Sequence, residues 1–439
     1  MKILVIGNGF DLAHYLPTSY NHFMGVMQAI ENLPDGKDKI GFDDLFGELA
    51  KQEKLEQKEW YFFDRMKELY ALEDMTIDCQ VVEKTRVKLK KNSWYAYFKH
   101  HLSDIESWID FETKIGEALS IFSLISELFQ EYDVENIVMR QIKFSSNEKV
   151  FQKVFSNSKI LDIFQLFKFI EVDTFSDYAQ FGLDEGVISS ISFNERYFRK
   201  YKKDYKFSFG DLLSELRTEL ECFIEIFNIY LTDFVGKFEP KNSLEAIGEL
   251  PELDIIFSFN YTSTFRNFYQ PDIYSDAIKI EFLHGKSEVN TKGLVLGIDD
   301  FTHELLREHK AYGFIKYHQK LVKETDYLFL KENNGVLAEL GPRQYLGDSD
   351  GEIDIYIWGH SLDVSDRDYI EEIFSLNDSI ESECLTRVVI YYHNDASRFS
   401  MLANLIHILG KDLVERWMKK GWLKFDVVPD IYKLNRQLI

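Results

Sequence analysis

Four short segments of this chain place glycine and polar residues directly after a run of apolar ones. An α/β sheet presents chemistry at its strand ends in this way. The first is Gly7-Asn8-Gly9-Phe10-Asp11, after KILVI. A glycine turn there lets backbone approach a pyrophosphate, with the amides of the next helix facing the anion. A tight strand-to-helix turn with no ligand reads the same way. Leu12 replaces the third glycine of GxGxxG, and no acidic residue ends a second strand about 20 residues on, which counts against hydride transfer. The second segment is SFNYT, with Ser258, Asn260 and Tyr261 as candidate ligand contacts. Asn260 could orient a water or a ribose hydroxyl, or simply cap the next helix. The third is LHG. His284 at a strand end suits general-base work near neutral pH, and Gly285 leaves room for a ligand; a structural histidine is the plainer alternative. The fourth is WGHSLDVSD, with Gly359, His360, Ser361, Asp363 and Asp366. Ser361 could bond a phosphate, and Asp366 could cap the helix or hold a ribose hydroxyl; a capped turn without a ligand fits too. Four such turns converge on one rim if their strands lie parallel in one sheet.

The elements that must position them follow from periodicity. KILVI reads as a buried parallel strand. Strand-like runs return as DIIFSF (254–259), IKIEFLHG (278–285), GLVLGI (293–298), EIDIYIWG (352–359), TRVVIYYH (386–393) and LKFDVV (423–428), with helical patterns at 302–323 and 398–419. Alternating strands and helices predict a doubly wound, mostly parallel sheet. Between them, 102–131 and 208–235 carry apolar residues at helical spacing. The reading is therefore a discontinuous core, 1–20 with 250–439, interrupted by a large, mainly helical insertion over 21–249.

With 439 residues, 45% of them hydrophobic, the chain can bury a sizeable core. Its net charge of −23 repels phosphate backbones, so broad nucleic-acid binding is disfavoured. Cys79, Cys222 and Cys384 are too far apart in sequence to suggest a zinc knuckle or a disulfide framework. No apolar stretch is long enough for a signal peptide or a membrane span, so a cytoplasmic protein is expected. His303 and His309 in HELLREH miss the i, i+4 spacing of zinc proteases, and no P-loop or GxSxG occurs; no metal is expected.

GNGFDLAHYLPTSYNHF, WIDFE (108–112), SFNYTSTF (258–265), LHG and GHSLDVSD (359–366) together resemble the bacterial abortive-infection AbiH family. Tyr15 departs from the small residue expected there. More distantly, the order of these segments resembles sirtuin-like NAD-binding domains. That resemblance implies a Rossmann-like, sirtuin-like core in which Asn260 handles water and ribose and His284 is the catalytic histidine. Gly7 to Asp11 and Gly359 to Ser361 would hold the phosphates. Thr262 stands where sirtuins carry Asp, and their zinc-binding cysteine pairs are missing, which favours an NAD-consuming or NAD-sensing relative over a deacetylase.

Three functions follow as expectations. The first is an abortive-infection effector that hydrolyses NAD to ADP-ribose and nicotinamide. The second is a nucleotide-binding sensor without catalysis. The third is a metal-dependent nuclease or nucleotide-transforming effector using Asp299, Asp300 and the acidic loop 363–368. The partners expected are NAD or a related dinucleotide, a phage-derived trigger and further copies of the chain, with the insertion serving assembly or trigger recognition.

Overall fold

A computed structural model describes residues 1–37, 39–55, 61–73, 75–105, 107–131, 141–143, 157–174, 188–201, 204–241, 253–269, 278–289, 291–330, 352–377 and 385–435. In chain order its strands are β1 (Lys2–Ile6), β2 (Gln141–Lys143), β3 (Ile170–Thr174), β4 (Ile188–Phe193), β5 (Phe198–Tyr201), β6 (Asp204–Phe207), β7 (Ile255–Ser258), β8 (Lys279–Phe282), β9 (Glu352–Trp358), β10 (Leu385–Tyr392) and β11 (Leu423–Val427). The chain forms two compact units. One comprises Met1–Arg86, Phe227–Leu296 and Tyr317–Ile439; the other comprises Val87–Ile226 and Gly297–Lys316.

The first unit is built on a six-stranded sheet in the order β11-β10-β9-β1-β7-β8, with every pairing parallel. The central strands β1 and β7 read as unbroken apolar runs because both their faces are covered, whereas β9 and β10 alternate buried with half-buried residues. Alternate residues serve opposite cores. Ile3, Val5, Ile255, Phe257, Ile355 and Val388 pack on one face, and Leu4, Ile6, Ile256 and Trp358 on the other. Burying side chains of this size stabilises by about 1.5–3 kcal/mol each. From β1 the chain adds β7 and β8 outward on one side, then β9, β10 and β11 on the other. Progress across the sheet thus reverses at the β1–β9 boundary. Helices Tyr20–Asn32, Phe42–Leu55 and Phe62–Leu69, expected in the insertion, belong to this unit.

Three local expectations change. Residues 293–298 form no strand. The backbone of Leu296 is held instead by the buried Gln319 amide, at 3.1 Å to its N–H and 2.9 Å to its carbonyl. A side chain that satisfies both groups removes the need for a ladder partner. The pattern at 302–323 breaks into Glu304–Glu308, a 3₁₀ turn and Lys316–Lys323, with Lys310 in the left-handed region. The pattern at 398–419 breaks at Gly410, φ +81°, between Asp395–Leu409 and Lys411–Lys419.

The second unit carries the long helix Trp108–Glu131 and most of Phe209–Ile229. It is not purely helical: β2, β4 and β3 form an antiparallel sheet, and β5–β6 a hairpin. Its core is aromatic, with Phe98, Phe111 and Phe223 in mutual contact. WIDFE is explained here by structure. Asp110 accepts from the Ser107 amide and hydroxyl to start the long helix, and Glu112 pairs with buried Lys316 at 2.6 Å. Among the described residues, no helix is long and apolar enough to cross a membrane.

Candidate functional site

The four turns lie at the carboxyl ends of four adjacent strands, β9, β1, β7 and β8. Two of them touch backbone to backbone. The Gly7 amide donates to the Trp358 carbonyl at 3.0 Å and the Gly9 amide to the Gly359 carbonyl at 2.8 Å. A Cβ on Gly359, which sits at φ +73°, would lie 2.1 Å from the Phe10 nitrogen. These glycines exist so that the β1 and β9 turns can meet. The Phe10 amide is also engaged, by the Gly7 carbonyl. Free amides at Gly7, Gly9 and Phe10, expected for a phosphate, are therefore taken by the protein itself. Asn8 stays partly exposed and Ser361 exposed at this rim.

Gly285 is likewise not an opening. At φ +83° its missing Cβ would lie 2.0 Å from the Gly293 carbonyl, so the space is filled by backbone. Ser258 is closed into its turn, its hydroxyl accepting from the Asn260 amide at 3.1 Å and donating to the Asn260 carbonyl at 2.9 Å. Tyr261 points its hydroxyl to the Val295 carbonyl.

Two polar clusters emerge. In the first, Asp366 lies between two histidines, with Oδ1 3.5 Å from His284 Nε2 and Oδ2 3.4 Å from His360 Nε2. All three are buried, at 8% exposure for His284, 7% for His360 and 9% for Asp366. His360 Nδ1 accepts from the Leu362 amide at 3.0 Å. That nitrogen carries no proton, so the ring proton sits on Nε2 and faces the carboxylate. Phe259 closes the cluster, its ring centroid 4.3 Å from His360, 5.2 Å from His284 and 5.1 Å from Tyr369. Buried Lys320 donates to the Tyr369 hydroxyl at 2.7 Å. Asp366 therefore does not cap the helix Arg367–Ser375; the side-chain cap at this turn comes from Asp363, on the Ser365 amide.

The second cluster joins the β1 and β7 turns. Asp11, 1% exposed, receives a 2.6 Å hydrogen bond from the Thr262 hydroxyl, which is bonded in turn to Thr264. Burial pushes the Asp11 carboxyl up to about 6, against the help that Thr262, Thr264 and Asn260 give its ionised form. One helical turn on, His14 is buried between Phe10, Phe268, Tyr269 and Trp358, and desolvation holds it down at about 4, neutral at physiological pH. Beside these turns lies a cavity of about 280 Å³, lined by Thr262, Ser263, Thr264, Asn267 and Lys286 among others.

Sequence reasoning placed Asn260, His284 and both glycine turns on this rim. It missed Thr262 and Thr264 as partners of Asp11, and His14 as a buried neutral ring. For the two threonines the available signal was the run of polar residues, Asn260 to Thr264, that follows one buried strand. Tyr15 takes the left-handed conformation, φ 56°, that explains why a small residue was expected there. Of the weaker candidates, Asp300 pairs with Arg307 and His303 with Glu127. Among the described residues, no group of three or more His, Cys, Asp or Glu is arranged so that it could hold a metal ion.

No curated protein and no solved structure matches the chain. The family model described as bacteriophage abortive infection AbiH matches residues 3–391, from β1 to the end of β10. The chain with these two clusters at one sheet rim belongs to the AbiH family of bacteriophage abortive infection.

Proposed function

We propose that this abortive-infection protein binds NAD at the carboxyl rim of the six-stranded sheet and hydrolyses it to ADP-ribose and nicotinamide. One observation carries the reading: buried polar groups from four chain segments, the titratable Asp11, His284 and Asp366 and the amide of Asn260, occur at the ends of adjacent parallel strands. Counted in chain order, the six strands of the sheet run 3-2-1-4-5-6, the arrangement of Rossmann-like dinucleotide-binding sheets, which place ligands at the point of reversal. Asn260 positions the attacking water, and His284, oriented by Asp366, serves as base on the ribose hydroxyl or that water. Because the Gly7 and Gly9 amides are engaged, the phosphates lie over the turns, toward Asn8 and Ser361. In this reading the protein acts in the cytoplasm, and the second unit serves assembly or recognition of a phage-derived trigger.

The test is nicotinamide release by the purified protein, alone and with extract from phage-infected cells. His284→Ala and Asn260→Ala should each lower it about 10²–10⁴-fold without unfolding the chain. Wild-type protein that never consumes NAD under either condition refutes hydrolysis. A second reading, a sensor that binds nucleotide without turnover, draws on Thr262, whose hydroxyl is committed to Asp11 where a sirtuin carries a carboxylate; calorimetric binding with no product would favour it.

A further inference from the structure

Around Asp11, two buried polar atoms have no partner within full hydrogen-bond distance, the carboxylate oxygen Asp11 Oδ1 and the amide nitrogen Asn260 Nδ2, and what Asn260 contributes to the carboxylate is smaller than what Thr262 and Thr264 do. Leaving either unsatisfied costs about 1–3 kcal/mol, so a pair in one place calls for something that completes it. One is an acceptor and the other a donor. Their side chains come from the β1 and β7 turns, and Asn260 lies close enough to help hold the Asp11 carboxylate ionised. A hydroxyl group or a water both accepts and donates, so it satisfies both atoms at once. Thr262 grips the other Asp11 oxygen at 2.6 Å and fixes which edge of the carboxylate remains available. Solvent-sized space adjoins: the cavity of about 280 Å³ is lined by Thr262, Ser263 and Thr264 of the same loop.

We propose that Asp11 and Asn260 together hold the attacking water, and that Asp11 is the group that takes its proton, leaving His284 to the ribose. This rests on the reading of the site as an NAD hydrolase. In the step, the water O–H bond breaks and its proton passes to Asp11 Oδ1. The water oxygen forms the bond to ribose C1′, while the C1′–N bond breaks and its electron pair leaves with nicotinamide. Asp11 later returns the proton to solvent. A carboxyl that titrates at about 6 is ionised at neutral pH yet basic enough to accept. The titratable groups near it do not confuse the assignment. His14 on its own helix is held at about 4, and Tyr70 and Tyr269 are driven by burial well above their ordinary range. From the β7 loop, the facing groups are Asn260, Thr262 and Thr264, none of which titrates.

The experiment follows turnover of NAD from pH 5 to 8.5 by the full chain and by Asp11→Asn, Thr262→Val and His284→Gln, with NAD binding read by calorimetry. Infrared difference spectra of the same proteins without ligand record carboxyl protonation. Asp11→Asn should lower turnover at least about 100-fold while changing NAD affinity less than about tenfold. Thr262→Val, which removes a group that favours the ionised form, should move the acid limb of the wild-type profile to higher pH; a purely structural role would not. A protonated-carboxyl band that fades through pH about 6 should be absent from Asp11→Asn. An acid limb that persists in Asp11→Asn, or one that vanishes only in His284→Gln, overturns the proposal. If the wild type neither binds nor consumes NAD, the NAD reading falls by itself; the infrared band then decides on Asp11, and its absence from the wild type refutes the assignment.

Discussion

Replacing Asp11 by Asn should make the protein more stable at neutral pH. Folding raises the Asp11 carboxyl from 3.8 to about 6 by burial. A group whose pKa rises on folding binds protons more tightly in the native state. Its contribution is fully present below pH 3.8 and is lost as pH climbs through 6. A shift of this size corresponds to about 3 kcal/mol of destabilisation once the carboxylate is ionised. About half of that, ~1.4 kcal/mol, develops between pH 5 and pH 8. Asn keeps the shape, accepts from Thr262 as the carboxylate does, and cannot ionise. Its own amide meets that of Asn260, which offsets about 1 kcal/mol of the gain. Calorimetric melting of wild type and Asp11→Asn at pH 5 and pH 8 checks this. The variant's advantage should be larger at pH 8 by a few degrees in Tm. An advantage that is constant with pH, or larger at pH 5, refutes the burial argument. A gain in stability with loss of turnover would mark Asp11 as a residue retained for chemistry at a cost to the fold.

His14 should act in the opposite sense. Its folded value, about 4 against 6.5, means that stability is lost as pH falls through that interval; His14→Phe should flatten this acid sensitivity in urea melts between pH 6.5 and 4. Gly359→Ala places a Cβ 2.1 Å from Phe10 nitrogen at φ +73°, and should cost more than about 3 kcal/mol or abolish soluble expression. In the second unit, Glu112→Ala leaves buried Lys316 without its 2.6 Å counter-ion. It should cost about 3–5 kcal/mol, and Glu112→Ala/Lys316→Met should recover part of that in a denaturant double-mutant cycle; no recovery would mean that the pair is not coupled.

The central strands were legible because a sheet covered on both faces is written there as apolar runs, and the outer ones because apolar residues recur at every second position. KILVI, DIIFSF, EIDIYIW and TRVVIYY could be little else. The glycine turns were legible for a similar local reason, since positions such as Gly285 and Gly359 need φ above zero. Their purpose was not. Sequence suggested room for a ligand, whereas the missing Cβ atoms admit the Gly293 carbonyl and the β1 turn. GLVLGI looked like a strand because its apolar pattern is that of one. Only the fold brings Gln319 to satisfy Leu296, leaving the segment with single backbone contacts, Val295 to His284 and Ile298 to Ile315, in place of a ladder.

By itself the sequence determined which residues are apolar, where the chain must turn, and which side chains at strand ends could carry a proton. Strand order is a non-local matter, settled by which buried edges pair, and it alone brought the turn after residue 6 beside those after 258 and 358. The tertiary structure also decided the electrostatics. Asp11 and His14 have ordinary local sequences, and their shifted titration comes first from the removal of water around them, with Thr262, which bonds Asp11, lying 251 residues further along the chain.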